Sequence, residues 1–326
     1  MGPADTPELL LEGLREEALP DIGLDRAGHG PGHPSAGGPM RARSNRGYHL
    51  IVLAVLALPG GAYAAPAEAT AVVPSATPVD SPTVRLDMAA LKQRLESGGS
   101  DGPDLARVDL SGMDLAGLDF RRANLTGARL TGAKLPGANL FSCDLTDADL
   151  SGANLTKANM DGTVLRRATL KQANLAGASL FATIIEAADL SGANLSGTRI
   201  IGYLRSAKLP GANLKNSNAG ADPGNQSMGV MRATFVGADL KGADLSDANL
   251  YKADFSHADL TGAKLQRANL ENADLLQTDF TRADLTGAKL AKSDIDGAIF
   301  TGAVGVSHIQ GLDQARNRDK ATFDAP

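Results

Sequence analysis

From Leu105 a large apolar residue (Leu, Phe, Met or Ile) returns at every fifth position through Ile200, and again from Phe235 through Phe300. Five is the period of no standard secondary structure. On an α-helix, at about 100° per residue, residues five apart spread around the cylinder and leave no buried stripe. On one flat strand they alternate between faces. A chain that must bury all of them has to turn once per unit.

The other positions of the unit say how it turns. Two residues before each apolar centre stands a small residue, usually alanine, as at Ala123, Ala128, Ala133 and Ala138. Asp, Asn, Lys or Arg lies between the two, and Ser or Thr and then often Gly follow. In an extended segment residues two apart share a face, so the alanine and the centre point inward and the residue between them points outward. The stretch "LPGA", at Leu135–Ala138 and again at Leu209–Ala212, places Pro and Gly where a type II turn requires them. Extended steps joined by such corners close into a coil, and stacked coils make a solenoid.

Composition supports a core of leucine and alanine: 43% of residues are apolar, yet only 4% are aromatic and Trp is absent. The single cysteine, Cys143, can form neither an internal disulfide nor a cysteine cluster for zinc. Residues 101–303 carry 23 acids and 21 bases. That balance excludes both the basic stripe of a nucleic-acid binder and a strongly acidic surface.

The A-(D/N)-L-x-x pattern, as in "ADLSGANLTKANM" and "ADLTGAKLQRANL", resembles the pentapeptide-repeat proteins over about residues 104–303. The resemblance implies an all-β fold, a right-handed quadrilateral β-helix (a pentapeptide-repeat solenoid) with four units per coil and short helical caps. At roughly 4.8 Å between neighbouring strands, about nine coils would extend on the order of 43 Å. The expected caps are a helix within residues 85–100 and the tail 304–326. In "LDMAALKQRLESGG" Asp87 is placed as an N-cap, residues 88, 91 and 95 form the apolar stripe, and Gly98 is the stop.

The repeat body, residues 101–303, is expected to be interrupted at about 201–234. Ile200 and Leu204 are four apart, units follow at Leu204, Leu209 and Leu214, and 21 residues then separate Leu214 from Phe235. Residues 216–231 are rich in Gly and Asn and lack repeat leucines. They read as a surface bulge or as a partner-binding loop, with Tyr203, Met228 and Met231 as its apolar contacts.

The amino-terminal region has a different grammar. Met40 is followed by Arg41, Arg43 and Arg46, an apolar run from Leu50 to Leu58, and Ala62-Tyr63-Ala64. This is a secretory signal peptide over residues 40–64, with cleavage expected between Ala64 and Ala65. Residues 1–39 are then an over-extended translation start without a core, and His29 and His33 form no metal site. Residues 65–84 have a linker composition. The apolar run is short for a membrane span and no lipidation cysteine follows it. The product is expected in the periplasm or secreted, without a stable membrane anchor after cleavage; a retained anchor is the alternative.

No catalytic constellation emerges. Cys143 takes an inward small-residue position, His257 falls on an outward corner, and Asp254 and Asp259 recur as part of the repeat. Gly127–Lys134 lacks the Gly-Lys-Ser/Thr of a P-loop, and the sequons at Asn124, Asn154 and Asn194 are by-products of the pattern. The expectation is an exported scaffold with a protein partner: no enzyme, no cofactor, no metal site and no nucleic acid. The resemblance also implies an alternative, a DNA mimic that binds DNA gyrase and confers quinolone resistance. The signal peptide and a net charge of −2 over the repeats count against it.

Overall fold

A computed structural model describes residues 84–221 and 231–325. The signal-peptide region with Ala64 and Ala65, the segments on either side of it and Met228 lie outside the described residues.

One unit, residues 149–153, accounts for the whole repeat. The Asp149 amide donates to the Ala128 carbonyl of the previous coil (2.9 Å), and those of Leu150 and Gly152 donate to Thr169 and Lys171 of the next (2.7 and 2.8 Å). The Ala153 amide closes the corner on the Leu150 carbonyl (3.0 Å). The fifth amide, of Ser151, donates to the Asp149 carboxylate (2.9 Å). All five backbone donors are therefore paired, which is what a tightly wound backbone requires. Asp or Asn is the outward residue because its short side chain can accept from the amide two residues on. Gly152 sits at φ 63°, and a corner bond with positive φ at its third residue is the signature of a type II turn.

Successive coils pair in parallel with a twenty-residue repeat, as in Asp104↔Asn124, Asp109↔Arg129, Asp114↔Lys134 and Asp119↔Asn139. These four series define four faces. Centres and alanines are buried throughout, from Leu105 to Phe300. Equivalent phenylalanines stack at the pitch of the coil: Phe235 on Phe255 at 4.6 Å and Phe280 on Phe300 at 5.1 Å. Threonines at the inward small position find acceptors, whereas the buried Ser217 hydroxyl has none. The hydroxyls of Thr163, Thr183 and Thr278 donate to the Leu140, Met160 and Phe255 carbonyls.

Both ends are covered. Strand β1 (Val84–Arg85) pairs in parallel with β2 (Val108–Asp109), and helix α1 (Met88–Ser97) follows it. The Asp87 carboxylate accepts from the Ala90 amide at 2.8 Å, and Leu91 is fully buried against the first coil. At the other end residues 304–325 form a further coil in steps of six: Val304, Gln310, Arg316 and Thr322 pair with Asp284, Lys289, Asp294 and Ile299. Each longer step holds a 3-10 turn (Val306–His308, Leu312–Gln314, Arg318–Lys320) entered through a left-handed residue, Gly305, Gly311 or Asn317. Phe323 lies on Phe300 at 4.8 Å.

The interruption is smaller than the leucine pattern suggests. Strands β3 (Ser179–Ile184) and β4 (Arg199–Tyr203) pair in parallel, with a register shift after Phe181. Between the centres Ile200 and Leu204 the corner has one residue, Ile201, instead of two. This draws Gly202 so close to the coil behind that a Cβ there would stand 2.4 Å from the Thr183 carbonyl oxygen. The coil then runs on past Leu214, because Ser217 and Ala219 fill the inward positions. The Ala219 and Ala221 amides still donate to Asn249 and Tyr251, both at 2.8 Å. Tyr203 pairs with Thr234, so the extra residues enter at the same edge that lost one in the preceding coil.

Candidate functional site

The faces differ in what they present outward. The fourth carries an amide ladder: Asn139 donates to Asp119 (3.1 Å), Asn159 to Asn139 (3.3 Å) and Asn249 to Asn218 (2.9 Å). The first begins with Asp104, Asn124 and Asp144 and later shows Asp254, Asp274 and Asp294. Between them it presents Val164, Ile184 and Tyr203 in consecutive, directly paired coils. None of these three side chains can accept from its own corner amide, so the coil gives up its fifth hydrogen bond three times running. Local rules are broken in this way where a surface has another task.

Val164 and Ile184 are half-buried, and Tyr203 is 38% exposed. Phe181 stands at one edge of the strip with the Arg199 guanidinium 4.3 Å over its ring. The other edge carries Arg166, which bonds Glu186 at 3.3 Å, and the exposed Arg205. Beyond Tyr203 the insertion is rooted firmly. Ala221 is held by Tyr251, and Arg232 reaches Asp274 (2.7 Å), Asp254 (3.3 Å) and the Lys252 carbonyl (3.3 Å).

Of the residues expected to contact a partner, Tyr203 lies in the strip and Met231 at the downstream root of the insertion, three residues before Tyr203's partner Thr234. Val164, Ile184 and Phe181 escaped the reading of the sequence. Their signal was an apolar residue in the outward slot, "TVL", "TII" and "GYL", returning once per coil.

The reactive side chains are placed for structure. Cys143 is fully buried and its thiol donates to the Phe120 carbonyl at 3.0 Å; burial pushes its pKa up to about 12, far from a thiolate at neutral pH. His257 is an exposed corner residue at φ 61°. Among the described residues no group of three or more His, Cys, Asp or Glu side chains is placed to hold a metal. No described helix is long and apolar enough to cross a membrane.

A four-faced parallel coil packed on leucine and alanine, with its variable residues outside, defines a repeat scaffold. The family model described as pentapeptide repeats matches in eight copies, over residues 104–140, 143–180, 165–200, 231–267 and 263–302. The chain belongs to the pentapeptide-repeat family. Among solved structures it is similar to HetL of the cyanobacterium Nostoc, a pentapeptide repeat protein involved in heterocyst differentiation regulation. That match has 28% identity and a TM-score of 0.44, over 73% of this chain and 100% of the other. A pentapeptide repeat protein of the Arabidopsis thaliana thylakoid lumen matches at 38% identity with a TM-score of 0.24, over 29% of this chain and 63% of its own length. A trypsin-treated variant of QnrB1, a plasmid-mediated fluoroquinolone resistance protein, matches at 18% identity with a TM-score of 0.28, over 61% of this chain and 89% of that one. No curated protein matches the chain.

Proposed function

We propose that this protein is an exported, non-enzymatic scaffold that holds a protein partner on the outside of its coil. The observation that carries the reading is the apolar strip Val164–Ile184–Tyr203, placed where the other repeat coils put Asp, Asn or Thr on the same face. Apolar side chains outside a core, rimmed by charged ones, mark a surface that meets another protein. Export is supported by Arg41, Arg43 and Arg46, the run Leu50–Leu58 and the Ala62-Tyr63-Ala64 motif. A gyrase-binding DNA mimic would need dense negative charge and a cytoplasmic location, and a net −2 over residues 101–303 argues against the first.

Fractionation of the native host, with amino-terminal sequencing of the recovered protein, tests the export reading. The expected product is periplasmic or secreted and begins at Ala65. A cytoplasmic product that keeps residues 1–39 overturns it and returns the gyrase reading to first place.

A further inference from the structure

Charge is segregated along the coil in a way the total conceals. Residues 160–215, which contain the strip, carry seven bases and three acids, a net of +4. Residues 101–159 net −2 and residues 216–303 net −4. The apolar strip therefore sits in the basic middle of the repeat body, with Arg166, its partner Glu186 and Arg205 along one edge and Phe181 along the other. The strip runs parallel to the coil axis, and its spacing is the coil pitch, measured by the phenylalanine stacks at 4.6–5.1 Å.

That spacing selects the shape of the occupant. An α-helix laid along the axis brings a side chain back to one side about every 5.4 Å, so three turns match three coils to within about an ångström or two. An extended strand repeats on one face at about 6.7 Å and is out of step by the third contact. Charge selects its chemistry, since the edge Arg166–Glu186–Arg205 holds one positive charge in excess, and a helix with carboxylates beside its apolar stripe meets it on complementary terms. We propose that Val164, Ile184 and Tyr203 form a docking surface for an acidic amphipathic helix of a partner protein. The inference rests on the reading of the chain as a protein-binding scaffold, and it is independent of export.

The test uses the purified full chain and two fluorescent peptides that share one leucine stripe, one filled out with glutamate and the other with lysine. The Glu peptide is expected to bind about tenfold or more tightly than the Lys peptide, a difference worth about 1.4 kcal/mol. The double variant V164D/I184D should keep its fold, because other coils carry Asp in that slot of the same face. It should lose the Glu peptide by about tenfold or more, as loss of a central apolar anchor does. Arg205→Glu should weaken binding by a smaller factor and flatten its salt dependence. Equal binding of both peptides, no binding of either, or unchanged binding by V164D/I184D with an unaltered melt would each overturn the proposal. So would preferential binding to anionic phosphatidylserine vesicles or to a short DNA duplex, or a dimer in sedimentation that V164D/I184D dissolves. Failure here leaves the export reading standing, because that is decided by fractionation alone.

Discussion

Each outward Asp or Asn has two tasks: it faces water and it holds the corner. Asn154 shows both, since its side-chain oxygen accepts from the Thr156 amide at 3.1 Å and from the Thr156 hydroxyl at 2.5 Å. Leu155→Ala should cost about 2–5 kcal/mol, the range for truncating a fully buried leucine. Asn154→Ala should cost about 0.5–1.5 kcal/mol, because the amide it leaves can turn to water. Chemical denaturation of the two variants checks the ranking, and equal losses would contradict the inward and outward assignments. A different outward pairing contributes to acid sensitivity. The Arg267 guanidinium grips Asp247 through both oxygens (2.7 and 2.6 Å) and holds its carboxyl below the usual range. A carboxyl lowered in the fold stabilises fully above its unfolded value of about 3.9, and that contribution fades as pH falls through the lower folded value. Melting temperature followed from pH 7 to pH 2 should therefore fall less steeply on the acid side in Asp247→Asn than in the parent.

At the level of the corner and the coil, the one-residue loss after Ile200 makes a sharp prediction. Gly202 occupies a small inward slot of the kind in which most units have alanine, so the pattern alone would accept Ala there. The Thr183 carbonyl forbids it. Gly202→Ala should destabilise by about 1–3 kcal/mol, as overpacking does, whereas Ala207→Gly one unit later lacks any such clash. Thermal melts of the two variants separate a steric cost from the flexibility cost of glycine. This corner also shows what the sequence made legible and what it did not. The five-residue period announced the coil, and Asp87 and Leu91 announced its first cover. The spacing of centres announced the break in register. It did not announce that Ser217 and Ala219 carry the coil onward, because a centre shrunk to alanine is invisible to a search for leucine. Nor did it reveal the strip beyond Tyr203, since the three apolar occupants lie about twenty residues apart.

For the repeat body as a whole, stability depends on how its ends are finished. Every internal coil finds its hydrogen-bond partners above and below, and an end coil has them on one side only. The six-residue steps of residues 304–325 meet that need at one end: the amides of Val304, Gln310, Arg316 and Thr322 donate to Ala283, Ala288, Ser293 and Ala298. Removing residues 304–326 should bare the Phe300 ring and that row of carbonyls. The truncated chain should melt at a lower temperature and form end-to-end oligomers. Sedimentation velocity beside the melt tests this, and a monomer with the parent's melting temperature would show that the last coil is dispensable. The closed backbone of the unit has a wider consequence. Because the amide network is nearly complete without the outward side chain, that slot can change identity at modest cost and without disturbing its neighbours. Selection can therefore spell a recognition surface one letter per coil on a frame whose geometry stays constant, and the three apolar letters of the first face read as one such word.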